Sequence, residues 1–364
     1  MNGGTPKTGI PENWDGSHLW ITPAEMGKRL TPYVSDTERK LTDLGLRDSS
    51  AGMLPPKSVI LSSRAPIGHL VINTDPMATN QGCKGLIPRS QLHYKYLYYY
   101  LLCIVDLLNL LGTGATFKEL SGGKLKEVTI PVPPLPEQQR IVAILDKAFN
   151  GIAKAKANAE KNLKNARQLF ESHLNSVFSQ QGEEWVVKTL DEISLNLDSK
   201  RIPITKSDRV SGEYPYYGAS GIVDYVADYI FEDDTLLVSE DGANLLARST
   251  PIAFSVSGKY WVNNHAHILK FENMATQQFV EFYLESIKLD DYITGAAQPK
   301  LNQKALNSIP IAIPKQVEDQ AKIVDSIEQL SNETKLLESI YQKKIEALDA
   351  LKKSILHQAF SGKL

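Results

Sequence analysis

The sequence predicts an α+β protein in which two β-rich globular heads are joined by a pair of long antiparallel coiled-coil helices, as a tandem repeat with approximate two-fold symmetry. The repeat is the main observation: residues 141–179 align with residues 323–361 at a constant offset of 182, and nine of these 39 positions are identical. Both repeated segments lack proline and carry apolar residues at 3-4 spacing, which is typical of coiled-coil helices. Short β-type runs cluster ahead of each helix, which indicates mainly antiparallel sheet.

The repeat divides the chain into four parts. We expect a first head at residues 1–133, a first long helix with a linker at 134–183, a second head at 184–313 and a second long helix at 314–364. The match extends upstream, because residues 114–133 align with residues 295–314 at an offset of 181. The second head opens with a predicted strand and short helix, residues 184–193, that have no counterpart in the first head. We therefore predict a first head that is short at its N-terminus and less stable.

The two long helices are predicted from their ends and their apolar stripes. The first opens at residues 136–139, with proline in the first turn and a carboxylate near the positive end of the helix dipole, and the second runs from about Val317 to Phe360. The predicted seam of the first helix comprises Ile141, Leu145, Ala148, Ile152, Ala155, Ala159, Ala166, Leu169 and Val177. That of the second comprises Ile323, Ile327, Leu330, Leu337, Tyr341, Leu348, Leu351 and Ile355. Because either stripe alone would face water, we expect the helices to pack on each other as a rod of roughly 60 Å; a dimerisation coiled coil is the alternative.

Each head is predicted to follow the same order of elements. Strands are expected at residues 58–62 and 69–73 in the first head, and at 235–239, 252–256 and 260–262 in the second. An apolar helix follows, at 92–109 or 276–287, then a loop at 112–121 or 294–302. A last strand, at 128–132 or 308–314, leads into the long helix.

Composition limits the classes of protein that the chain can belong to. The net charge is −2 and the pI about 6.4, which is not the overall signature of a nucleic-acid binder, although local patches decide binding. The chain has no apolar run long enough to cross a bilayer and no signal peptide at its start. Cys83 and Cys103 are too few for a disulfide framework, so we expect a reducing cytoplasm.

Candidate catalytic motifs fail on inspection. The glycines at residues 112–114 lack the rest of a dinucleotide turn, and residues 121–124 lack the residue that would hold magnesium in a phosphate loop. His265 and His267 share one face of a strand but have no third metal ligand in the sequence pattern, so packing or a DNA contact is the favoured interpretation. The Asn/Asp-Pro-Pro-aromatic motif of an amino-methyltransferase is absent from the sequence. We therefore predict a protein that is not an enzyme and that binds no metal.

One motif points to a family. Residues 133–142 read PPLPEQQRIV, a related stretch at 313–324 precedes the second helix, and the chain closes with Ala-Phe-Ser-Gly-Lys-Leu. This arrangement, which covers essentially the whole chain, resembles the specificity subunit of type I restriction-modification systems. The resemblance implies that each head reads one half of a divided target in double-stranded DNA and that the helical rod sets the spacer. It also implies that two modification (methyltransferase) subunits dock on the chain, that S-adenosylmethionine, ATP and Mg²⁺ belong to partner subunits, and that no cofactor binds here. Whether two restriction subunits join is left open.

DNA-contacting residues are predicted from their type and their place on head loops. In the first head they are Lys7, Arg64, Asn80, Gln81, Lys84, Thr113, Thr116 and Lys118. In the second head they are Lys200, Arg201, Lys206, Tyr216, Tyr217, Asn244, Arg248, His265, Gln298 and Lys300. The competing interpretation is a two-headed coiled-coil adaptor that binds proteins instead of DNA.

Overall fold

The computed structural model describes residues 1–114, 118–295 and 297–364. The chain forms two compact units, one of Met1–Ala159 with Lys343–Leu364 and one of Glu160–Gln342. Each unit therefore contains one head, the end of one long helix and the opposite end of the other. The predicted α+β class, with two β-rich heads and a pair of long antiparallel helices, is confirmed.

Among its described residues, the first unit contains seven strands and five short α-helices. Its strands are β1 (Trp14–Ile21), β2 (Tyr33–Val34), β3 (Arg39–Leu41), β4 (Val59–Ser63), β5 (Ile67–Asn73), β6 (Met77–Thr79) and β7 (Cys83–Leu86). Its short helices are α1 (Pro23–Gly27), α2 (Asp43–Arg47), α3 (Tyr94–Cys103), α4 (Val105–Leu111) and α5 (Gly122–Glu127). The strands form two sheets with the orders β2-β5-β4-β7 and β3-β1-β6.

The core of the first head lies on both faces of β4. This strand is buried at every position, because it is flanked by β5 and β7 and covered by helices. Its β-branched and leucine side chains suit a central strand. On one face Val59 and Leu61 pack with Leu97 and Leu108 of α3 and α4.

The described part of the second unit contains ten strands and four short α-helices. Its strands are β8 (Trp185–Thr189), β9 (Leu195–Asn196), β10 (Ser211–Gly218), β11 (Gly221–Val226), β12 (Phe231–Glu232), β13 (Thr235–Ser239), β14 (Ala253–Val256), β15 (Lys259–Val262), β16 (Ala266–Lys270) and β17 (Pro310–Pro314). Its short helices are α7 (Leu190–Ile193), α8 (Asn244–Ala247), α9 (Met274–Ser286) and α10 (Gln303–Asn307). The sheet orders are β11-β10-β15-β12, β14-β13-β16-β9 and β17-β8. The central strand β13 is buried along its whole length, as β4 is in the first unit.

The long helices span Leu135–Ser179 and Val317–Phe360, and we call them the first and second long helix. In the first unit, Lys156 of the first long helix bonds to Asp349 of the second at 2.8 Å. In the second unit, Arg167 bonds to Glu338 at 2.8 Å. Arg140 also donates to the carbonyl of Leu364, just beyond the second long helix, at 2.7 Å. Within the first unit the residue number therefore rises along one helix as it falls along the other, so the two helices are antiparallel there.

The seam of the helix pair is narrower than the sequence predicts. Leu145, Ile152, Ala159 and Ala166 are buried at seven-residue intervals, as expected for a coiled coil. Three predicted seam residues instead face water, namely Leu169, Leu337 and Leu351. On the second long helix Ser331 and Thr334 take buried positions, because small side chains fit where two helices approach closely.

Other differences from the predictions concern the heads. The predicted helix at 92–109 is two helices, because the chain leaves α-helical geometry at Ile104, which precedes another β-branched residue. The hairpin of β10 and β11 was not predicted. The strand predicted at residues 128–132 is absent, although its repeat counterpart β17 is present. Among the described residues, no helix combines the length and apolar character needed to cross a membrane.

Candidate nucleic-acid interface

Both heads hold a surface loop in the same backbone frame. In the first head, Thr113 and Glu119 exchange two backbone hydrogen bonds of 3.1 and 2.9 Å, and these close the loop. In the second head, Thr294 and Lys300 exchange two such bonds of 2.9 and 2.8 Å. The two pairs lie at the repeat offset of 181, so the loops are structural counterparts. We call residues 113–119 the first loop and residues 294–300 the second loop.

Each loop is also tied to the end of the central strand. Leu120 donates its backbone N–H to the carbonyl of Ser63 at 2.8 Å, and Leu301 donates to the carbonyl of Glu240 at 2.8 Å. The next residue is a helix N-cap in both heads, where a side-chain oxygen accepts an orphan backbone N–H: Ser121 caps α5 and Asn302 caps α10. The described ends of each loop are therefore anchored to the head on both sides.

The exposed residues of the two loops differ. Thr113 and Lys118 face solvent in the first loop, and Gln298 and Lys300 face solvent in the second. Thr116, the remaining predicted contact of the first loop, lies outside the described residues. One frame thus presents two different sets of polar side chains.

The first head carries five further predicted residues. Arg64 forms an ion pair of 3.6 Å with Glu119, and both side chains are partly exposed. Lys84 is half-buried on β7, and Gln81 and Lys7 are exposed. Asn80 is instead used internally, because its amide donates to Thr5 and its oxygen accepts the backbone N–H of Gly82.

Beneath the second loop lies a buried network of charged groups. Nδ1 of His267 lies 2.5 Å from Oδ2 of Asp198, and Nε2 lies 2.7 Å from the carbonyl of Leu301. The ring thus bridges a carboxylate and a backbone carbonyl, both of which are hydrogen-bond acceptors. His267 is 1% exposed, so this ring links the sheet to the end of the second loop inside the protein.

Glu240 extends the network to the loop itself. It accepts from Arg201 at 2.6 Å and forms an ion pair with Lys300 at 3.0 Å. Burial alone would raise the pKa of the Glu240 carboxyl, but the bonds from Arg201 and Lys300 outweigh burial and lower that pKa below its usual value. The same balance lowers the pKa of Asp198, where the bond from His267 opposes burial. Both carboxyl groups are therefore held in the charged form.

Three side chains of the network place their donor atoms as close together as the ligands of a metal site. Asp198, Glu240 and His267 offer donor atoms that lie within 4.8 Å of one another. Each donor already has a protein partner, namely Arg201, Lys300 or the backbone of Leu301. A cation there would have to displace the positive side chains, so the donor set fits an ion-pair network better than a metal centre.

Several predicted residues of the second head are engaged inside the unit. Tyr216 is 1% exposed and its hydroxyl bonds to the backbone of Ile204. Arg201 also donates to the carbonyl of Ala266, and Arg248 donates to two carbonyls at the end of α9. Asn244 closes a turn by bonding to Thr250. These side chains support the head, and their polar groups already have partners.

The other predicted residues of the second head are more accessible. His265 is 48% exposed and lies 2.8 Å from Asp241. Lys200 and Lys206 face solvent, and Tyr217 is half-buried against the aromatic core. Sequence reasoning missed Asp198 and Glu240, because the partners of His267 are far away in the chain. The two histidines on one strand were the available signal.

Fold and site together define a class: a duplicated two-headed protein in which each head displays an anchored polar loop and packs on a shared pair of long helices. The chain belongs to the family described as the type I restriction modification DNA specificity domain, whose model matches residues 1–164 and 182–347.

Individual relatives agree with this family. The chain is 36% identical over 186 residues to the MjaIX specificity subunit of Methanocaldococcus jannaschii, a match that covers 50% of this chain and 43% of that protein. It is 24% identical over 351 residues to the EcoprrI specificity subunit of Escherichia coli, covering 91% of this chain and 85% of that protein. The match thus spans less than half of the first relative's length.

Solved structures show the same fold. A chain from a structural study of complex assembly and conformational transition in the type I R-M system matches with a TM-score of 0.81 at 16% identity, covering 100% of this chain and 95% of that one. The HsdS subunit from Thermoanaerobacter tengcongensis matches with a TM-score of 0.62 at 16% identity, covering 96% and 92%.

Proposed function

We propose that this chain is the sequence-reading subunit of a type I restriction-modification complex and that each head reads one part of a divided target in double-stranded DNA. The observation that carries the proposal is the pair of counterpart loops, which share one backbone frame and differ in their exposed side chains. A common frame with different polar residues is what two readers of different sequences need. Catalysis, S-adenosylmethionine, ATP and Mg²⁺ belong in this proposal to partner subunits.

The available side chains suit base and phosphate contacts. Lysine and arginine pair with guanine or phosphate, and glutamine pairs with adenine. Lys118 and Gln298 are exposed on their loops. Because the net charge of the chain is −2, we expect weak DNA binding by this subunit alone and tight binding only with the modification subunits.

The two long helices are proposed to set the gap between the two parts of the target. They contain 45 and 44 residues. At about 1.5 Å per residue each helix is roughly 65 Å long, which is almost two turns of duplex at about 34 Å per turn. A stiff element of that length can hold two readers at a fixed separation.

We also propose that two methyltransferase subunits dock on repeat-related faces of the helices. Leu169 and Leu351 are identical residues at the repeat offset of 182, and they are 52% and 46% exposed. The recurrence of an exposed leucine at the same place in both copies is the observation that supports one contact surface used twice. We expect that Leu169→Glu and Leu351→Glu each lower the number of bound methyltransferase subunits from two to one, as counted by native mass spectrometry.

A matched control is available on the second long helix. Lys353 is exposed and lies two residues, or about 200°, around the helix from Leu351. Lys353→Glu adds the same acidic side chain on another face and is expected to leave two subunits bound. Equal losses for Lys353→Glu and Leu351→Glu would contradict docking at the leucine.

The reading function is tested by sequencing methylated adenines in cells that carry this chain and its modification partner. We expect a two-part motif, and we expect Lys118→Ala to relax only one part and Gln298→Ala only the other. Ser121→Asn exchanges one N-cap residue for the type used in the second head and serves as a control that keeps the frame. The proposal would be contradicted if both loop variants changed the same part of the motif. An adaptor that binds only proteins would give no motif and no gel shift with the modification subunits present.

A further inference from the structure

Each head contains a second repeated surface element, a three-residue turn between two strands. In the second head residues 263–265 connect β15 to β16, and in the first head residues 80–82 connect β6 to β7. The side-chain oxygen of the first turn residue, Asn80 or Asn263, accepts the backbone N–H of the third turn residue, at 2.8 and 2.7 Å. This bond defines an Asx turn. We call residues 80–82 and 263–265 the first and the second Asx turn.

The backbone around the two Asx turns is bonded in the same way. Asn80 donates its N–H to the carbonyl of Ile21 at 2.8 Å, at the end of β1. Asn263 donates to the carbonyl of Tyr217 at 3.0 Å, near the end of β10. The strand before each turn pairs in parallel with the strand that ends there, β6 with β1 and β15 with β10. The two turns are therefore structural counterparts, as the two loops are.

Each Asx turn lies beside the loop of its own head. In the first head Ser63 donates its N–H to the last carbonyl of the Asx turn at 2.7 Å, and its own carbonyl accepts from Leu120 at 2.8 Å. In the second head Glu240 donates to the last carbonyl of the Asx turn at 2.9 Å, and its carbonyl accepts from Leu301 at 2.8 Å. One residue at the end of the central strand thus joins the turn to the described end of the loop.

The middle residue of each Asx turn is exposed, and it differs between the heads. It is Gln81 in the first head and Asn264 in the second. Gln81 is among the residues that the sequence predicts to contact DNA, whereas Asn264 is not. The asparagine that holds the second turn, Asn263, is only 8% exposed. A repeated, bonded frame therefore presents one carboxamide from each head, and the two side chains differ in length by one methylene.

The acidic side chains next to the second Asx turn have partners. Asp241 lies 2.8 Å from Nδ1 of His265, and the side chain of Asp241 is 17% exposed. Glu240 is bonded to Arg201 and forms an ion pair with Lys300. These partners offset the repulsion that the two carboxylates would exert on the phosphates of DNA. A duplex can therefore approach the exposed carboxamide of the second turn.

We propose that Asn264 is a specificity-determining residue of the second head and that Gln81 is its counterpart in the first head. Each carboxamide reads one adenine in the part of the target that its head contacts, an assignment that rests on the proposed function. A carboxamide carries an acceptor beside a donor, so it can pair with both N6 and N7 of adenine in the major groove. Each head then reads its part of the target through two neighbouring elements, the loop and the Asx turn.

The first test sequences the methylated adenines in cells that carry the chain and its modification partner. We expect Asn264→Ala to relax one base position in the same part of the motif as Gln298→Ala. We expect Gln81→Ala to relax one position in the same part as Lys118→Ala. The preference for adenine at the relaxed position should fall at least about fivefold, because a bidentate contact to the base is lost.

A matched control lies at the other end of β15. Ser257 is an exposed polar residue in the connection between β14 and β15, so Ser257→Ala is expected to leave the motif unchanged. Both Ser257→Ala and Asn264→Ala change exposed side chains and should keep the melting temperature of the chain within about 2 °C. A clearly lower melting temperature for Asn264→Ala with an unchanged motif would overturn the proposal, since Asn264 would then support the fold.

A base analogue tests the contact itself, with methylation rates measured for the complex of this chain and its modification subunits. At the position that Asn264→Ala relaxes, adenine is replaced by 7-deazaadenine, which lacks the N7 acceptor. We expect the original chain to be slowed roughly two- to tenfold and Asn264→Ala not to be slowed further. Equal slowing of both chains would contradict the contact.

The outcomes separate this assignment from the proposed function. Cells with the original chain that show no two-part motif would refute the proposed function as a whole. A two-part motif that Asn264→Ala and Gln81→Ala both leave unchanged would overturn only the assignment of the Asx turns as readers.

Discussion

The buried ring of His267 gives the sharpest prediction about how the second loop is held. Replacing His267 by glutamine removes the ring that bridges Asp198 and the carbonyl of Leu301. A glutamine amide carries its donors at one end, so it can donate to one of these acceptors while its oxygen faces the other. Asp198 then remains buried with a weaker set of partners.

The size of the loss in the free energy of unfolding depends on the partners that Asp198 keeps. Removing one partner of a buried charged group costs about 3–5 kcal/mol. Asp198 keeps the backbone N–H of Ile268 at 2.9 Å and Arg201 at 3.5 Å. We therefore expect the lower end of the range, roughly 3 kcal/mol in the free energy of unfolding of the second unit.

Hydrogen exchange measures this effect locally. We expect His267→Gln to raise exchange rates of the amides in β16 and of Leu301, because the link between the sheet and the second loop is lost. The matched control is His265→Gln, two residues earlier in the chain, which changes a half-exposed ion pair and is expected to cost less than about 1 kcal/mol. Equal effects of the two variants, or an unchanged loop in His267→Gln, would refute the reasoning.

Three further predictions concern the anchoring of the heads. Gln138→Ala removes three hydrogen bonds that join the start of the first long helix to the head, so we expect thermal unfolding to show a loss of about 2 kcal/mol in the free energy of unfolding. The control is Gln139→Ala at the exposed neighbour, which is expected to change this free energy by less than about 0.5 kcal/mol. Because the pKa values of Asp198 and Glu240 are lowered in the folded state, these carboxylates stabilise the fold above their unfolded-state pKa near 4, and this stabilisation is lost as the pH falls through the lower folded-state pKa. Protection of the second loop from hydrogen exchange should therefore stay constant from about pH 7 to 5 and fall below about pH 4, and a loss that begins near pH 6 would contradict this. Arg64→Ala breaks a partly exposed ion pair, so we expect a free energy of unfolding within about 0.5 kcal/mol of the original chain and weaker methylation at one part of the motif. A large loss of stability would show that Arg64 supports the fold instead.

Much of the architecture could be predicted because it repeats. The bounds Val317–Phe360 of the second long helix agree with the sequence prediction, since proline and glycine mark both ends. The strand at Thr235–Ser239 is also as predicted. In contrast, Leu169 and Leu351 were placed in the seam because apolar spacing alone does not show which flank of a stripe is covered.

The site could be predicted only in part, for physical reasons. The loops were found because Gly114 and Gly295 align within the repeat, and both residues adopt the positive φ that glycine allows. That the exposed residues of these loops contact DNA remains a prediction. The role of Tyr216 could not be read from the sequence, because an aromatic residue with a hydroxyl suits a core as well as a surface. The network of Asp198, Glu240 and His267 depends on contacts between distant residues, which no local pattern reports.

The spacer proposal has one direct test. Inserting three matched heptads into each long helix, after residues 159 and 342, preserves the seam and lengthens each helix by about 32 Å, close to one turn of duplex. Sequencing the methylated adenines should then show the same two half-sequences with a gap that is longer by roughly nine to ten base pairs, so that both heads still face the same side of the DNA. The original half-sequences at the original gap would contradict the claim that the helices set the spacing.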